Sequence, residues 1–189
     1  MEFKTDALVL KATDYKENDK LLTLFTPSKG KVTAGIRGVR KRGAKLSFAA
    51  QPFCFSEYVL AEKGGRYTVT AAYLYDGFYS LRTDIARYYA ACSVLEICNA
   101  LLVEEGESEA VFIAAVEAPK GLALTEGDAA ELLLSFSLTA LHQSGYMIDL
   151  DGCGICGGEV KGNAYFDFEA GYFTCSDCAS GVRASESTY

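Results

Sequence analysis

The sequence predicts an α+β multidomain chain: a small N-terminal β-barrel, then an α-helical part that carries a four-cysteine ribbon. Three observations predict it. Five short apolar, β-branched runs punctuate residues 7–75, the apolar spacing turns helical from Ser80, and two C-x2-C pairs stand in the last forty residues.

The predicted strands are Ala7–Ala12, Leu21–Thr26, Lys31–Ile36, Pro52–Leu60 and Tyr67–Tyr75. Turn or charged residues bound each of them: 14–19, Pro27-Ser28-Lys29-Gly30, 37–45 and Glu62-Lys63-Gly64-Gly65. Five such strands suit a five-stranded OB-fold over residues 1–79. An SH3-like barrel has the same strand count, so count alone does not separate the two.

From Ser80 the residues Leu81, Ile85, Tyr88, Cys92, Leu95, Asn99 and Leu102 fall on one helical face, with only Asn99 polar. A loop at 104–108 ends that helix. A shorter helix is expected over Glu109–Glu117, stopped by Pro119 and Gly121. A third starts at Thr125-Glu126-Gly127-Asp128 with Thr125 as its cap, and Gly145 suits the left-handed position past its end. Leu132 to Gln143 is apolar on nearly every side, which predicts a central, buried helix. The helical domain is expected to span 80–189, with the cysteine ribbon inserted at 149–182. No flexible linker separates it from the barrel, so the two parts are expected to pack together.

Half of the 189 residues are apolar and 23% are charged, as in an ordinary globular protein. No uninterrupted apolar stretch reaches the roughly 18 residues of a membrane span. The N-terminal residues lack the pattern of a signal peptide. The expected location is therefore the cytoplasm, where thiols stay reduced. The net charge of −7 hides an asymmetry. Residues 1–80 hold 13 Lys and Arg against 8 Asp and Glu, a net of +5, and residues 81–189 carry the remaining −12. An acidic total argues against nucleic acid as a partner of the second half only.

Cys153-Gly154-Ile155-Cys156 and Cys175-Ser176-Asp177-Cys178 can each turn two sulfurs toward one ion, and together they complete a tetrahedron. Gly157 supplies the permissive backbone such a turn needs. Between the pairs, Tyr165, Phe166 and Phe168 lead to Glu169-Ala170-Gly171, and Tyr172 and Phe173 follow: a β-hairpin with a cysteine pair at each foot. A redox C-x-x-C would stand alone and two disulfides would need an oxidising compartment, while an iron–sulfur cluster is a further reading of the four thiols. One structural Zn2+ held by Cys153, Cys156, Cys175 and Cys178 is the expectation. Four thiolate ligands leave no open position for catalysis.

Nothing else suggests an enzyme or a small-molecule substrate. The only histidine, His142, lies in an apolar helix, and no phosphate loop, nucleophile elbow or Cys–His pair is visible. Asp149 and Asp151 flank the cysteine turn as loop acids. Cys54, Cys92 and Cys98 sit in apolar runs as small hydrophobes.

The densest positive charge is Arg37-Gly38-Val39-Arg40-Lys41-Arg42-Gly43-Ala44-Lys45, with Lys29 and Lys31 nearby in sequence. Five cations and two glycines in nine residues predict a mobile arm that follows a phosphate backbone. Phe48 stands outside the apolar run and is the candidate for stacking on a base, whereas Phe53 and Phe55 are expected in the core. The same strip could instead bind the acidic tail of another protein, which would make the chain a zinc-stapled interaction module without direct DNA contact.

Ala7-Leu8-Val9-Leu10, Leu24-Phe25-Thr26 with Gly30-Lys31-Val32, Gly35-Ile36-Arg37-Gly38-Val39-Arg40, Gln51-Pro52-Phe53, Gly145-Tyr146 and the two cysteine pairs follow one another in an order that resembles bacterial RecO proteins. The resemblance runs over nearly the whole chain. It implies an OB-fold, a helical domain with an inserted zinc ribbon, and binding to single- and double-stranded DNA. It also implies strand annealing in recombinational repair, in the cytoplasm at the bacterial nucleoid. The implied partners are RecR and single-stranded DNA-binding protein, with which such proteins help load RecA recombinase. Two departures stand out: the family continues with further helices after the cysteine ribbon, and Met147 occupies a position where it often has proline.

Overall fold

A computed structural model describes residues 2–102, 106, 108–124, 127–146 and 151–184. The first five strands are β1 (Glu2–Tyr15), β2 (Asp19–Thr26), β3 (Gly30–Ile36), β4 (Phe55–Lys63) and β5 (Arg66–Asp76). They close into a barrel in the order β1-β2-β3-β5-β4. All pairings are antiparallel except β3 with β5, where Ala34 faces Tyr67 and Gly35 faces Thr68. That parallel closure makes the barrel OB-like, which the count of strands could not decide. β1 serves two neighbours by bending: it pairs with β4 over Glu2–Leu8 and with β2 over Leu8–Tyr15, with a bulge between Val9 and Lys11.

Alternation sends one face of each strand inward. Val32, Ala34 and Ile36 of β3 and Ser56, Tyr58 and Leu60 of β4 are buried together with Leu22 and Leu24. A short 3-10 turn, Phe48–Ala50, plugs the barrel, and the fully buried Tyr58 hydroxyl donates to the Ala49 carbonyl at 2.8 Å. That bond removes the cost of a buried unpaired hydroxyl.

Among the described residues three helices follow: α1 (Ile85–Leu101), α2 (Glu109–Leu124) and α3 (Ala129–Gln143). The first differs from expectation at its start. Tyr79–Thr83 is a 3-10 turn, and α1 begins only where the Asp84 carboxylate accepts from the Arg87 N–H at 3.1 Å. The late start shifts its buried face to Ala90, Ala91, Val94, Leu95 and Cys98, and Ile85 is left 79% exposed. α2 runs straight through Pro119 and Gly121. Pro119 is buried on the same face as Val111, Phe112, Ala115 and Leu122, so packing outweighs a penalty of about 3 kcal/mol for proline inside a helix. α3 is capped by Asp128, which accepts from the Ala130 N–H at 2.8 Å; Thr125 lies outside the described residues. α3 is not a central helix: only Phe136 and Ala140 are buried, and Leu134 and Leu138 face outward. Gly145 has φ +83°, as a residue just past a helix end requires.

By compactness the chain divides into Met1–Ser144 and Gly145–Tyr189. Within the first unit, barrel and helices share a core. Leu8, Leu10, Phe25 and Phe53 of the barrel pack with Val94, Leu95, Phe112 and Leu122, and Phe25 meets Phe112 edge-on at 5.2 Å. Phe53 is buried as expected, but in this shared core, and Phe55 is half-buried beside it. Arg87 ties the helices together, donating to the carbonyls of Leu122 at 2.7 Å and Gly127 at 3.2 Å. The second unit is a three-stranded sheet of β6 (Tyr165–Asp167), β7 (Tyr172–Thr174) and β8 (Val182–Arg183), with β6 in the middle.

Candidate metal centre and nucleic-acid interface

The sulfurs of Cys153, Cys156, Cys175 and Cys178 all lie within 4.8 Å of one another, and those of Cys156 and Cys175 are 3.9 Å apart. A tetrahedron of Zn–S bonds near 2.3 Å requires sulfurs about 3.8 Å apart, so the set fits an ion of that size. Two turns build it. The Gly157 N–H donates to the Cys153 carbonyl at 2.8 Å, and the Ala179 N–H to the Cys175 carbonyl at 2.8 Å. Gly157 has φ +71°, as predicted from its position after Cys156. Gly154 is needed for a different reason, since a β-carbon there would enter the Tyr172 ring.

Backbone N–H groups of Cys156 and Cys175 hold the Cys153 thiol down at about 6, as a thiolate ligand requires. Its neighbours respond in the opposite sense: close cysteine sulfurs, Cys175 first, push Cys178 up to about 12. Four thiolates this close repel one another unless a cation sits among them. The ribbon around them is braced by polar contacts: Thr174 accepts from the Ser180 N–H at 3.0 Å, and the Ser180 hydroxyl donates to Asp167 at 2.7 Å. Asp151 is exposed beside the turn, and Asp149 and Met147 lie outside the described residues.

The cations singled out in the barrel meet different fates. Arg37, Lys41, Arg42 and Lys45 are exposed and make no ion pair among the described residues. Arg40 instead turns back on its own molecule, 3.2 Å from Asp14 and donating to the Glu17 carbonyl at 3.1 Å. Lys31 donates to the Asn99 carbonyl at the end of α1, 2.9 Å away, so it joins barrel to helices instead of facing solvent. Lys29 lies over the Phe3 ring at 5.5 Å. Both sit at the far end of the β2–β3 hairpin from Arg37, because six extended residues span about 20 Å. Phe48 is half-buried against the barrel core, so its ring is only partly open.

Residues 37–45 are not a free arm. Val39 is buried in the barrel core, and successive turns close from Lys41 to Gly38, Ala44 to Lys41 and Ser47 to Ala44. Glycine at 38 and 43 takes φ of +65° and +76°, which is how the chain turns so tightly there. The result is an ordered basic ledge.

Beside it lies a groove of about 540 Å³ that periodicity and spacing did not reveal. Its walls come from the β1–β2 turn, the faces of β2 and β3, and the β4–β5 turn. Lys16, Lys20, Arg37 and Arg66 line it with Tyr15 and Tyr67, and Asp19 is the one acid on its lining. Lys20 is 3.6 Å from Asp14, and Lys16 lies over the Tyr15 ring at 5.3 Å. The signal was present as Tyr15-Lys16 and Arg66-Tyr67, each an aromatic beside a cation at a turn. It becomes visible only once closure brings those two turns to the same end of the barrel.

Burial pushes the Cys54 and Cys92 thiols up, and the Cys98 thiol up to about 12, as expected of packing residues. His142 is exposed in the last turn of α3. Among the described residues no helix is long and apolar enough to cross a membrane.

Comparison with known proteins agrees with this arrangement. The family model described as recombination protein O N terminal matches residues 1–78, and recombination protein O C terminal matches 82–188. The DNA repair protein RecO of Clostridium novyi (strain NT) is 33% identical over 99% of this chain and 74% of its own length. That of Myxococcus xanthus (strain DK1622) is 34% identical over 98% and 75%. That of Desulforamulus reducens is 32% identical over 94% and 69%. With both halves of the family model matched in order, and with an OB-like barrel, three helices and a four-cysteine cluster in place, the chain belongs to the recombination protein O family.

Proposed function

We propose that this protein binds DNA in the barrel groove and on the adjoining ledge, and anneals complementary strands in recombinational repair. The observation that carries the reading is the groove itself: four cations and two tyrosines converge where OB-folds take oligonucleotides, between the β1–β2 and β4–β5 turns. Its volume suits nucleotide-sized groups. Phosphates would meet Lys16, Lys20, Arg37 and Arg66, while the exposed ring of Tyr15 offers a face on which a base stacks without regard to sequence.

Annealing needs no covalent step, and the protein acts on this reading without enzymatic chemistry. Two polyanions must be neutralised so that they approach while their bases stay free to pair. The exposed cations Lys41, Arg42 and Lys45 extend the neutralising surface beyond the groove. The ribbon is poorly suited to neutralising phosphates, because its described residues carry five acids, Asp151, Glu159, Asp167, Glu169 and Asp177, against Lys161 and Arg183. Its cysteines would hold one Zn2+ as a structural ion.

The family reading extends the role to a mediator in the cytoplasm, working with RecR and single-stranded DNA-binding protein to load RecA recombinase. The test is a strand-annealing assay beside oligonucleotide binding, with zinc quantified in the same sample. The expected result is annealing without nucleotide hydrolysis and about one zinc per chain. Retention of acidic peptides alone, with no oligonucleotide bound, would replace DNA by an acidic protein tail as the ligand.

A further inference from the structure

Arg40 differs from every other cation of the ledge. Its guanidinium donates to the carbonyls of Glu17 at 3.1 Å and Lys16 at 3.4 Å, and lies 3.2 Å from the Asp14 carboxylate. Its backbone N–H donates to the Asn18 carbonyl at 3.1 Å. Two residues earlier, the Gly38 N–H donates to Asp19 at 2.8 Å. All five acceptors belong to the segment Asp14–Asp19, the β1–β2 turn and its edges. That turn contains Lys16 at φ +55°, a conformation side-chain-bearing residues adopt at a cost. The same turn sets Tyr15 and Lys16 at the lip of the groove.

Resting on the DNA-binding reading above, we infer that Arg40 and Asp14 are positioning residues: together they latch the basic ledge to the groove lip, making one preformed surface of the two. With three of its five guanidinium N–H donors already taken by two carbonyls and a carboxylate, Arg40 is the member of the cluster least suited to gripping phosphate. An exposed ion pair alone would hold little. Here the pair is one of several bonds converging on a strained turn, and its loss frees the lip and the ledge together. Binding then bears the cost of ordering them.

The inference makes a counterintuitive demand. Asp14→Asn removes a negative charge beside a DNA site, which by Coulomb attraction alone should tighten binding. The latch requires it to weaken. The experiment compares the full chain with Arg40→Gln and Asp14→Asn, measuring single-stranded oligonucleotide affinity across a salt series and amide hydrogen exchange in the same preparations. Both variants should bind about fivefold more weakly, with faster exchange confined to residues 15–20 and 38–45. The salt slope of Arg40→Gln should equal that of the parent. A slope shallower by about 0.7 would make Arg40 a phosphate contact, and tighter binding by Asp14→Asn would make Asp14 a simple repulsive charge; either overturns the inference. Unchanged exchange in both variants overturns the latch whatever DNA does. If the parent chain binds no oligonucleotide, the DNA reading itself falls, and the exchange data still report whether the latch exists.

Discussion

At the scale of single residues, the fate of a cation is decided by what the fold brings within about 3 Å of it. Lys31 and Arg37 look equivalent in sequence, yet one is anchored on the Asn99 carbonyl and the other lines an open groove. Replacing Lys31 by Met should cost about 1 kcal/mol of stability, the scale of a charged hydrogen bond at a helix end. It should leave the salt dependence of oligonucleotide binding unchanged. A thermal melt and a salt titration of the variant check both halves. Which lysine would be anchored could not be read from the sequence, because residues 31 and 99 meet only through the packing of the barrel on α1. The cysteine ligands could be read, since each pair is held within one local turn and needs no distant partner to define it.

At the scale of elements, local rules held where the element is stabilised locally and failed where burial decides. Five strands appear in the expected order with shifted bounds, since β1 extends over Glu2–Tyr15 beyond the expected Ala7–Ala12 and β4 starts at Phe55, after a turn at Pro52 and Phe53; Gly157 and Gly145 take the backbone angles their positions call for. Pro119 should have ended α2, but the helix continues because its face is buried on both sides of the proline. α3 reads as buried from composition, and all five of its leucines are only half-covered or exposed. The first knuckle offers a test of a local rule with a spatial cause. Gly154→Ala would drive a β-carbon into the Tyr172 ring, so either the ring or the turn must move. The variant should hold metal more weakly by about tenfold or more, equivalent to at least about 1.4 kcal/mol. Competition with a chromophoric chelator measures it. Parent-like affinity would show that Tyr172 yields freely.

At the scale of the molecule, the two compact units depend on different forces. The first contains two extensive apolar clusters. Among the described residues the ribbon's buried apolar cluster is Cys153, Val160, Ala164 and Phe173, too small to fold an element of that size without a metal or other crosslink. Chelation should therefore unfold residues 151–184 and leave the melting of the barrel and helices intact, as hydrogen exchange resolved by segment would report. Cys153→Ser should do the same by losing one ligand, with zinc content and ribbon protection falling together. Loss of protection throughout the barrel on chelation would mean that the ion supports both units.

The claim on which the functional reading depends is that the barrel groove holds DNA through its own cations. It is tested most directly by the salt dependence of single-stranded oligonucleotide binding, measured for the parent and for a variant with Lys16, Lys20, Arg37 and Arg66 all changed to Gln. With about five phosphates neutralised, the parent should lose about a hundredfold in affinity between about 50 and 200 mM salt, and the variant should bind weakly with a slope shallower by about 3. A variant that keeps the parent's affinity and slope would contradict the account, because the phosphates would then be held somewhere other than this groove.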